Sequence, residues 1–513
     1  MLSNIMEDTS LRAQMETVIK LNEELVQTIA KQARDHFERR ERVVDLDDEA
    51  KVNLKYIGDS VTERMRFERP QVYIERVIRR KYVVAGQPEQ GVKAAPAPLA
   101  IVEGCRYDFD VIAAMITLKY AFHQPTYRQQ DWFAQCGWFP SRSTINDMLN
   151  HSVNTIQPLV NQLWQQLLQP SIVLADETRV LLLTRDSLNE EQQAQLNRRG
   201  KTKKPPDSDA TGEQTQSGSV TSYAWLFAGL DELAPYNLFH WSLTRSHSVV
   251  DERLCGFRGT VVADAYDAYT QIEKRSASRI THASCNSHAR REFVKAEAYE
   301  PMLCAQILSL YQQLYAIEER AKTQAVSARY GLRQREAQPV WREIEHWLER
   351  EAVQRAALPS SRFGKAVGYL KNQWTSLQKY LSDGRLPIDN DQAEQIIRPL
   401  TVGRRNWLFL GHPEAATGRL QLLSVVSSAH RHNLIVEDYL TDVLKQLAHA
   451  SQKHPGDLEL GSDYLLALLP DRWAAAHPGS IRQGRVQEKS DVAEAKRVRR
   501  ARQRQQKQAS SRD

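Results

Sequence analysis

Apolar residues recur at alternating steps of four and three near the start of the chain, at Leu11, Met15, Val18, Leu25 and Ile29, with Asn22 filling the one polar position of the series. The spacing predicts a helix within residues 1–44 carrying a heptad seam. An amide on such a seam fixes register and oligomer number in a coiled coil, while the same stripe equally serves one amphipathic helix packed on its own domain. Both readings stand. The stretch 45–100 has a different pattern: "QVYIERVIRRKYVV" alternates as an extended segment does, and "AGQPEQGVKAAPAPLA" is rich in Pro, Gly and Ala. It reads as a small extended domain and a linker.

Helical spacing returns from Asp108 to about Leu168, in a region taken as 101–170. Within it "YRQQDWFAQCGWFPSRSTINDMLNHSV" predicts a helix, a turn at Gly137, and a second helix opened by Ser141, Arg142, Ser143 and Thr144. That is the outline of a helix-turn-helix, whose second helix offers Arg142, Ser143 and Thr144 to a DNA groove, and also of a plain helical hairpin. Strand-length apolar runs follow: "SIVLADETRVLLL", "SYAWLFAGL", "YNLFHWSL", "GTVVADAYDAY" and "RITHASC", with a helix from about Ser287. The polar segment "NRRGKTKKPPDSDATGEQTQSGSV" between the first two reads as a loop. Three to five strands and a helix make a small α/β sheet domain over residues 171–296. Residues 297–385 are helical in pattern, with Trp341, Ile344, Trp347 and Leu348 on one core-facing stripe.

Composition adds little until charge is placed along the chain. Of 513 residues, 41% are hydrophobic and 26% charged, which is ordinary for a globular protein of two to four domains. No apolar run has the length of a membrane span and the N-terminus lacks the apolar core of a signal peptide, so a cytoplasmic location is expected. Five scattered cysteines, Cys105, Cys136, Cys255, Cys285 and Cys304, form no CxxC pair, which argues against a disulfide framework or a cysteine-rich zinc site. Residues 481–513 hold eleven Lys/Arg against four Asp/Glu, a net +7 that exceeds the +6 of the whole chain and leaves the rest at −1. The Arg-rich, disorder-like composition of this tail, within a C-terminal region 451–513, points to a polyanion, and a solubilising extension has the same composition.

Three acids then stand out. Asp176 ends the apolar run "SIVLAD" and Asp264 ends "TVVAD". A carboxylate directly after a buried strand core is costly unless it sits at the sheet's end or is paired, and either alone serves equally as a loop cap. The third lies in "LPIDNDQAEQIIRPLTVGRRNWLF", where Asp391 is placed as a helix N-cap and Glu394 lies three residues on. That spacing fits a capping box, and it also fits a third metal carboxylate flanked by Arg398, Arg404 and Arg405 for phosphates. Trp407 either stacks on an unpaired base or packs in the core. Carboxylates from separate elements suit Mg²⁺, which takes oxygen ligands and assists phosphoryl transfer.

The order "LADET", "VADAYDAY", "CNSHARREF", "LPIDNDQAEQIIRPLTVGRRNWLF" resembles the transposases of the insertion sequence 66 family, from about residue 45 to residue 450. The resemblance implies a DDE enzyme with an α/β catalytic core resembling ribonuclease H, a large helical insertion at 297–385 and a mostly helical N-terminal DNA-binding region. It implies Asp176, Asp264 and Glu394 as catalytic and metal-binding residues, in a core formed by 171–296 and 386–450. Cys285 and His288 match a CxxH element of related transposases, with Arg290 and Arg291 beside it; a strand-end thiol and a helix-start histidine are the plain alternative, and no zinc is expected there. The implied cofactor is Mg²⁺, with Mn²⁺ as a substitute. The implied partners are DNA (terminal inverted repeats and target), further copies of the chain, and accessory proteins of the same element, near the bacterial nucleoid and not at a membrane. The chain departs from the family in three places. The cysteines of a small zinc element are missing from "RRKYVVAGQPEQG", the loop around 195–220 is longer, and Asp391 stands where a second Asn is common. Two other functions compete: a DNA-binding regulator descended from such an enzyme with its acids unused, and a two-carboxylate hydrolase of another substrate.

Overall fold

The computed structural model describes residues 70–82, 92–183, 188–190, 192, 194, 219–230, 233–453 and 462–509. The heptad series, residues 45–69 and the polar loop at 195–218 lie outside these. The chain divides into a unit spanning Gln71–Ile481 and a second containing Arg482–Asp513.

At the start of the larger unit, β1 (Lys81–Tyr82) and β2 (Lys93–Ala94) form an antiparallel ribbon of two residues each. The alternation in "QVYIERVIRRKY" yields only this much strand, because Tyr73, Ile74 and Ile78 find no sheet to cover them and stay exposed. Then α1 (Phe109–Tyr120), α2 (Thr126–Gln135) and α3 (Arg142–Leu167) follow. The turn between α2 and α3 places Gly137 at φ +87°, and the Ser141 hydroxyl caps α3 by accepting the Thr144 N–H at 3.0 Å. The helix–turn–helix order read from the sequence is present; α3, at 26 residues, continues well beyond a groove-reading helix into the core.

Five strands make one mixed sheet in the order β5–β4–β3–β6–β7: β3 Ile172–Leu183, β4 Ser219–Gly229, β5 Asn237–Ser242, β6 Gly259–Ala263 and β7 Ile280–Ser284. The first three are antiparallel, and β6 and β7 join β3 in parallel. Strand β3 is buried over Ile172–Ala175, where it has neighbours on both sides, and turns partly exposed from Asp176. Parallel pairing with β6 stops at Leu174 opposite Val262, while antiparallel pairing with β4 continues to Leu183 opposite Ser219. Asp176 therefore stands inside a twelve-residue strand rather than at its end. The apolar run ends there because one neighbour ends, not because the strand does.

After β7, α4 (Asn286–Ala296) leads into α5 (Pro301–Ala321), α6 (Gln338–Glu349) and α7 (Arg362–Asn372), with the predicted stripe Trp341, Ile344, Trp347 and Leu348 buried. A π-helical turn at Arg333–Ala337 buries Arg333, which holds Glu318 with two hydrogen bonds of 2.8 and 2.7 Å. The same guanidinium donates to the carbonyls of Tyr380, Asp383 and Leu386. This helical block thus grips the turn leading into α8 (Asp391–Trp407).

Behind the sheet lie α9 (Pro413–Arg431) and α10 (Val436–Lys453). Edge strand β5 is covered by serines of α9: Ser428 and Ser424 accept the N–H groups of Asn237 and Phe239 at 3.0 and 2.8 Å. That satisfies an edge which would otherwise be open to pairing. In the second unit α11 runs from Gln483 to Ala509. The basic tail, disorder-like in composition, is helical here, because Arg, Lys, Gln, Glu and Ala are strong helix formers and no Gly or Pro interrupts them beyond Gly484.

Candidate active site

The parallel register pairs Ile172 with Thr260 and Leu174 with Val262; Asp176 and Asp264 each stand two residues beyond that last pair, so the same offset continued would set them side by side. Equal offsets on adjacent parallel strands put two side chains on one face of the sheet. Asp264 immediately follows the end of β6 at Ala263, so it does lie at a strand end. Burial, then the negative charges of Glu177 and Asp264 and, more weakly, Glu394, push the Asp176 carboxyl up to about 7; the Glu177 N–H, donating at 2.9 Å, pulls the other way.

Its neighbour Glu177 is neutralised. Arg245 forms an ion pair with it, the Tyr269 hydroxyl donates to it at 2.7 Å, and the Arg245 guanidinium lies 3.7 Å from the centroid of Tyr266. Asp176 and Asp264 have no such cation among the described residues. Among the described residues their carboxylate oxygens accept the N–H groups of Glu177 and, at 3.0 Å, Tyr266. Of the three acids on the sheet, Glu177 is the one held by an ion pair, a role that nothing in its sequence position signals.

Glu394 comes from α8. The helix begins at Asp391, so Asn390 occupies the N-cap and Glu394 the fourth helical position. The expected N-cap at Asp391 is thereby corrected, and a capping box would need the third helical position. The Glu394 carboxylate instead faces α4, with Oε2 3.6 Å from Arg291 Nη2 and Oε1 3.7 Å from His288 Nε2. Oε1 is a buried acceptor without a hydrogen-bond partner. Cys285 precedes α4, and its sulfur accepts the Asn390 N–H at 3.2 Å while burial pushes its thiol up to about 12. Asn390, itself buried, donates from Nδ2 to the Ala175 carbonyl at 2.8 Å, one residue before Asp176. The CxxH element therefore spans the site: the thiol anchors the start of α8, and the imidazole faces the glutamate. Arg290, on the adjacent face of α4, lines a groove with Asp391.

The donor set is carboxylate oxygen throughout, with mutual repulsion and an orphaned buried Oε1, and this chemistry fits a hard divalent cation. Among the described residues no three His, Cys, Asp or Glu side chains stand close enough together to hold one ion.

The remaining candidates separate into exposed and engaged groups. Arg398 and Arg405 are exposed on α8, as are Arg142 and Ser143 at the start of α3, with Thr144 part-buried beside them. Arg404 is not free: it donates to Thr178 Oγ1 at 3.1 Å and to the Arg179 carbonyl, pinning α8 to β3. Trp407 is partly buried against the core, and its indole nitrogen would lie 2.9 Å from a Cβ placed on Gly403. Packing, not an open stacking face, describes it here.

Fold and site together define a mixed α/β protein whose central sheet bears Asp176 and Glu177, with Asp264 just past a strand end and Glu394 on a helix packed against β3. The description "Transposase IS66 family" belongs to the family model that matches residues 104–206 and 207–418. The chain is a member of the IS66 transposase family. It is similar to three uncharacterized proteins of Sinorhizobium fredii. The one called y4jD is 26% identical over 437 residues, covering 83% of this chain and 78% of the relative. The protein y4hP is 22% identical over 448 residues (83% and 73%), and y4qI is 25% identical over 430 (80% and 73%). No helix among the described residues is long and apolar enough to cross a membrane.

Proposed function

We propose that this chain is a DNA transposase that cuts and joins strands at the ends of an insertion sequence, using a core of the ribonuclease H type and the acids Asp176, Asp264 and Glu394. The observation that carries the reading is the placement of Asp176 and Asp264 at equal distance beyond the last parallel pair of β3 and β6, with the charges of Asp264 and, more weakly, Glu394 acting on Asp176. The strand order, with three antiparallel strands followed by two parallel ones, agrees with that core. The three acids would hold Mg²⁺, or Mn²⁺ in its place, and the metal supplies an activated oxygen nucleophile and charge neutralisation at the scissile phosphate. Arg245 keeps Glu177 out of that set, Asn390 and Cys285 hold the start of α8 against β3, and Arg291 and His288 balance Glu394 until DNA arrives. Arg398 and Arg405 bind backbone phosphates, and the start of α3 reads the element ends. Working copies of the chain assemble in the cytoplasm at the nucleoid, alone or with accessory proteins of the same element.

A second reading, a DNA-binding regulator with unused acids, draws support from the absence of a three-ligand cluster among the described residues. Cleavage of a labelled terminal-repeat duplex in Mg²⁺ separates the two. Asp176→Asn, Asp264→Asn and Glu394→Gln are each expected to lose at least about a hundredfold in cutting while end binding persists. Near-normal cutting by Glu394→Gln would remove that residue from the chemistry, and no Mg²⁺-dependent cutting by the native chain would favour the regulator.

A further inference from the structure

Beside the acids, α4 and α5 leave a groove of about 520 Å³ between them. Helix α4 divides its two faces by helical spacing. His288 and Arg291 look toward Glu394, whereas Ser287 and Arg290 line the groove. The opposite wall is one stripe of α5, with Leu308, Gln312 and Tyr315 on it, and Asp391 of α8 closes the end nearest Glu394. The groove and the acids thus share α4 and the start of α8 as walls.

We infer that the groove between α4 and α5 receives one unpaired nucleotide of the DNA, bound through its base. This deepens the transposase reading and rests on it for the identity of the ligand. The volume falls within the range of small-molecule sites and suits one nucleotide, not a duplex. The lining favours a base over a phosphate. Arg290 is its one cation, against the two carboxylates Glu297 and Asp391, so the groove repels phosphate. Those carboxylates and the Gln312 amide accept from the N–H groups on a base edge, while Leu308 provides apolar contact for the base plane. A base inside a duplex cannot present both edge and plane to such a wall, so it must be unpaired. The backbone stays at the rim, where Arg290 and Arg291 are exposed.

The test uses the full chain in metal-free buffer, so that cutting plays no part. Binding of a fluorescein-labelled 12-nucleotide single strand is compared by anisotropy with binding of the same sequence as duplex and as a strand with abasic residues at its centre. Ala305 and Ser309 line the groove on the exposed side of α5, and leucine at both positions fills it without weakening the helix. The double variant Ala305→Leu with Ser309→Leu is expected to bind the intact single strand about tenfold more weakly and the duplex within twofold of the native chain. The abasic strand should bind the native chain about as weakly as the intact strand binds the double variant. Gln312→Ala, which opens rather than fills the groove, should also weaken the single strand alone. Equal affinity of intact and abasic strands, or a double variant that binds single strand normally, overturns the inference. Because no cleavage is measured, base-dependent binding that survives in Glu394→Gln supports the groove even if the chain proves unable to cut.

Discussion

Replacing Asp176 by asparagine tests the electrostatics of the site without any DNA. The carboxyl is pushed up to about 7 from an ordinary 3.8, first by burial and then by Glu177 and Asp264. Its folded-state value therefore lies above its unfolded one, so the folded protein holds an extra proton between about pH 4 and pH 7. Stability is greatest below the lower value and falls as pH rises through that window. At roughly 1.4 kcal/mol per unit, the gap amounts to about 4 kcal/mol of stability missing above pH 7. Asparagine keeps the shape, retains an oxygen for the Glu177 N–H and cannot ionise. Asp176→Asn is thus expected to be more stable than the native chain by up to about 4 kcal/mol at pH 8 and to differ little at pH 4. Urea denaturation at half-unit steps from pH 4 to pH 8 measures this; groups remote from Asp176 cancel in the difference between the two proteins, while Glu177, Asp264 and Glu394, whose charges act on it, contribute to the measured curve. Added Mg²⁺ at pH 8 should stabilise the native chain saturably and the variant much less, since an ion that binds only the folded state stabilises it by mass action. A stability difference that is flat across this range would refute the claim that burial and like charges together raise the Asp176 carboxyl.

Three further outcomes follow from the packing. Glu318→Gln leaves Arg333 buried without its carboxylate and should cost about 3–5 kcal/mol in a denaturation curve, with DNA cutting reduced because the turn into α8 loosens. Gly259→Ala forces a Cβ to 2.1 Å from the Ser171 carbonyl at a φ of +154°, so it should cost about 2 kcal/mol or more and disturb the β3–β6 register, seen as loss of both stability and cutting. Removing residues 482–513, and keeping Ile481 because it bridges Leu434, takes away a net +7. Non-specific DNA affinity should fall and its log–log salt slope should flatten; an unchanged slope would mean that α11 makes no phosphate contact.

Local spacing along the chain determined what a few neighbouring residues can determine. The strand runs around "SIVLAD" and "GTVVAD", the helix opened by Ser141 after the Gly137 turn, and the Trp341–Leu348 stripe all depend on side chains within one or two turns or a strand's length. Asp176 and Asp264 were legible as unusual for the same reason, since each follows an apolar run, and Glu394 through its spacing from Asp391 and the arginines after it. Tertiary structure alone decided what they face. Asp176 lies within a strand because β4 goes on pairing with β3 after β6 has stopped, which no residue of β3 encodes. Asn390 and Cys285 meet across 105 residues, Arg404 spends its donors on β3, and Glu177 rather than Asp176 receives Arg245. Asp391 fails as an N-cap because the helix starts one residue earlier than the capping pattern suggests, once Asn390 is drawn onto Ala175 and Cys285. Periodicity carries information over the reach of a local hydrogen bond. Which buried polar group finds which partner is settled by strand register and helix docking, where unsatisfied groups in the core are most costly.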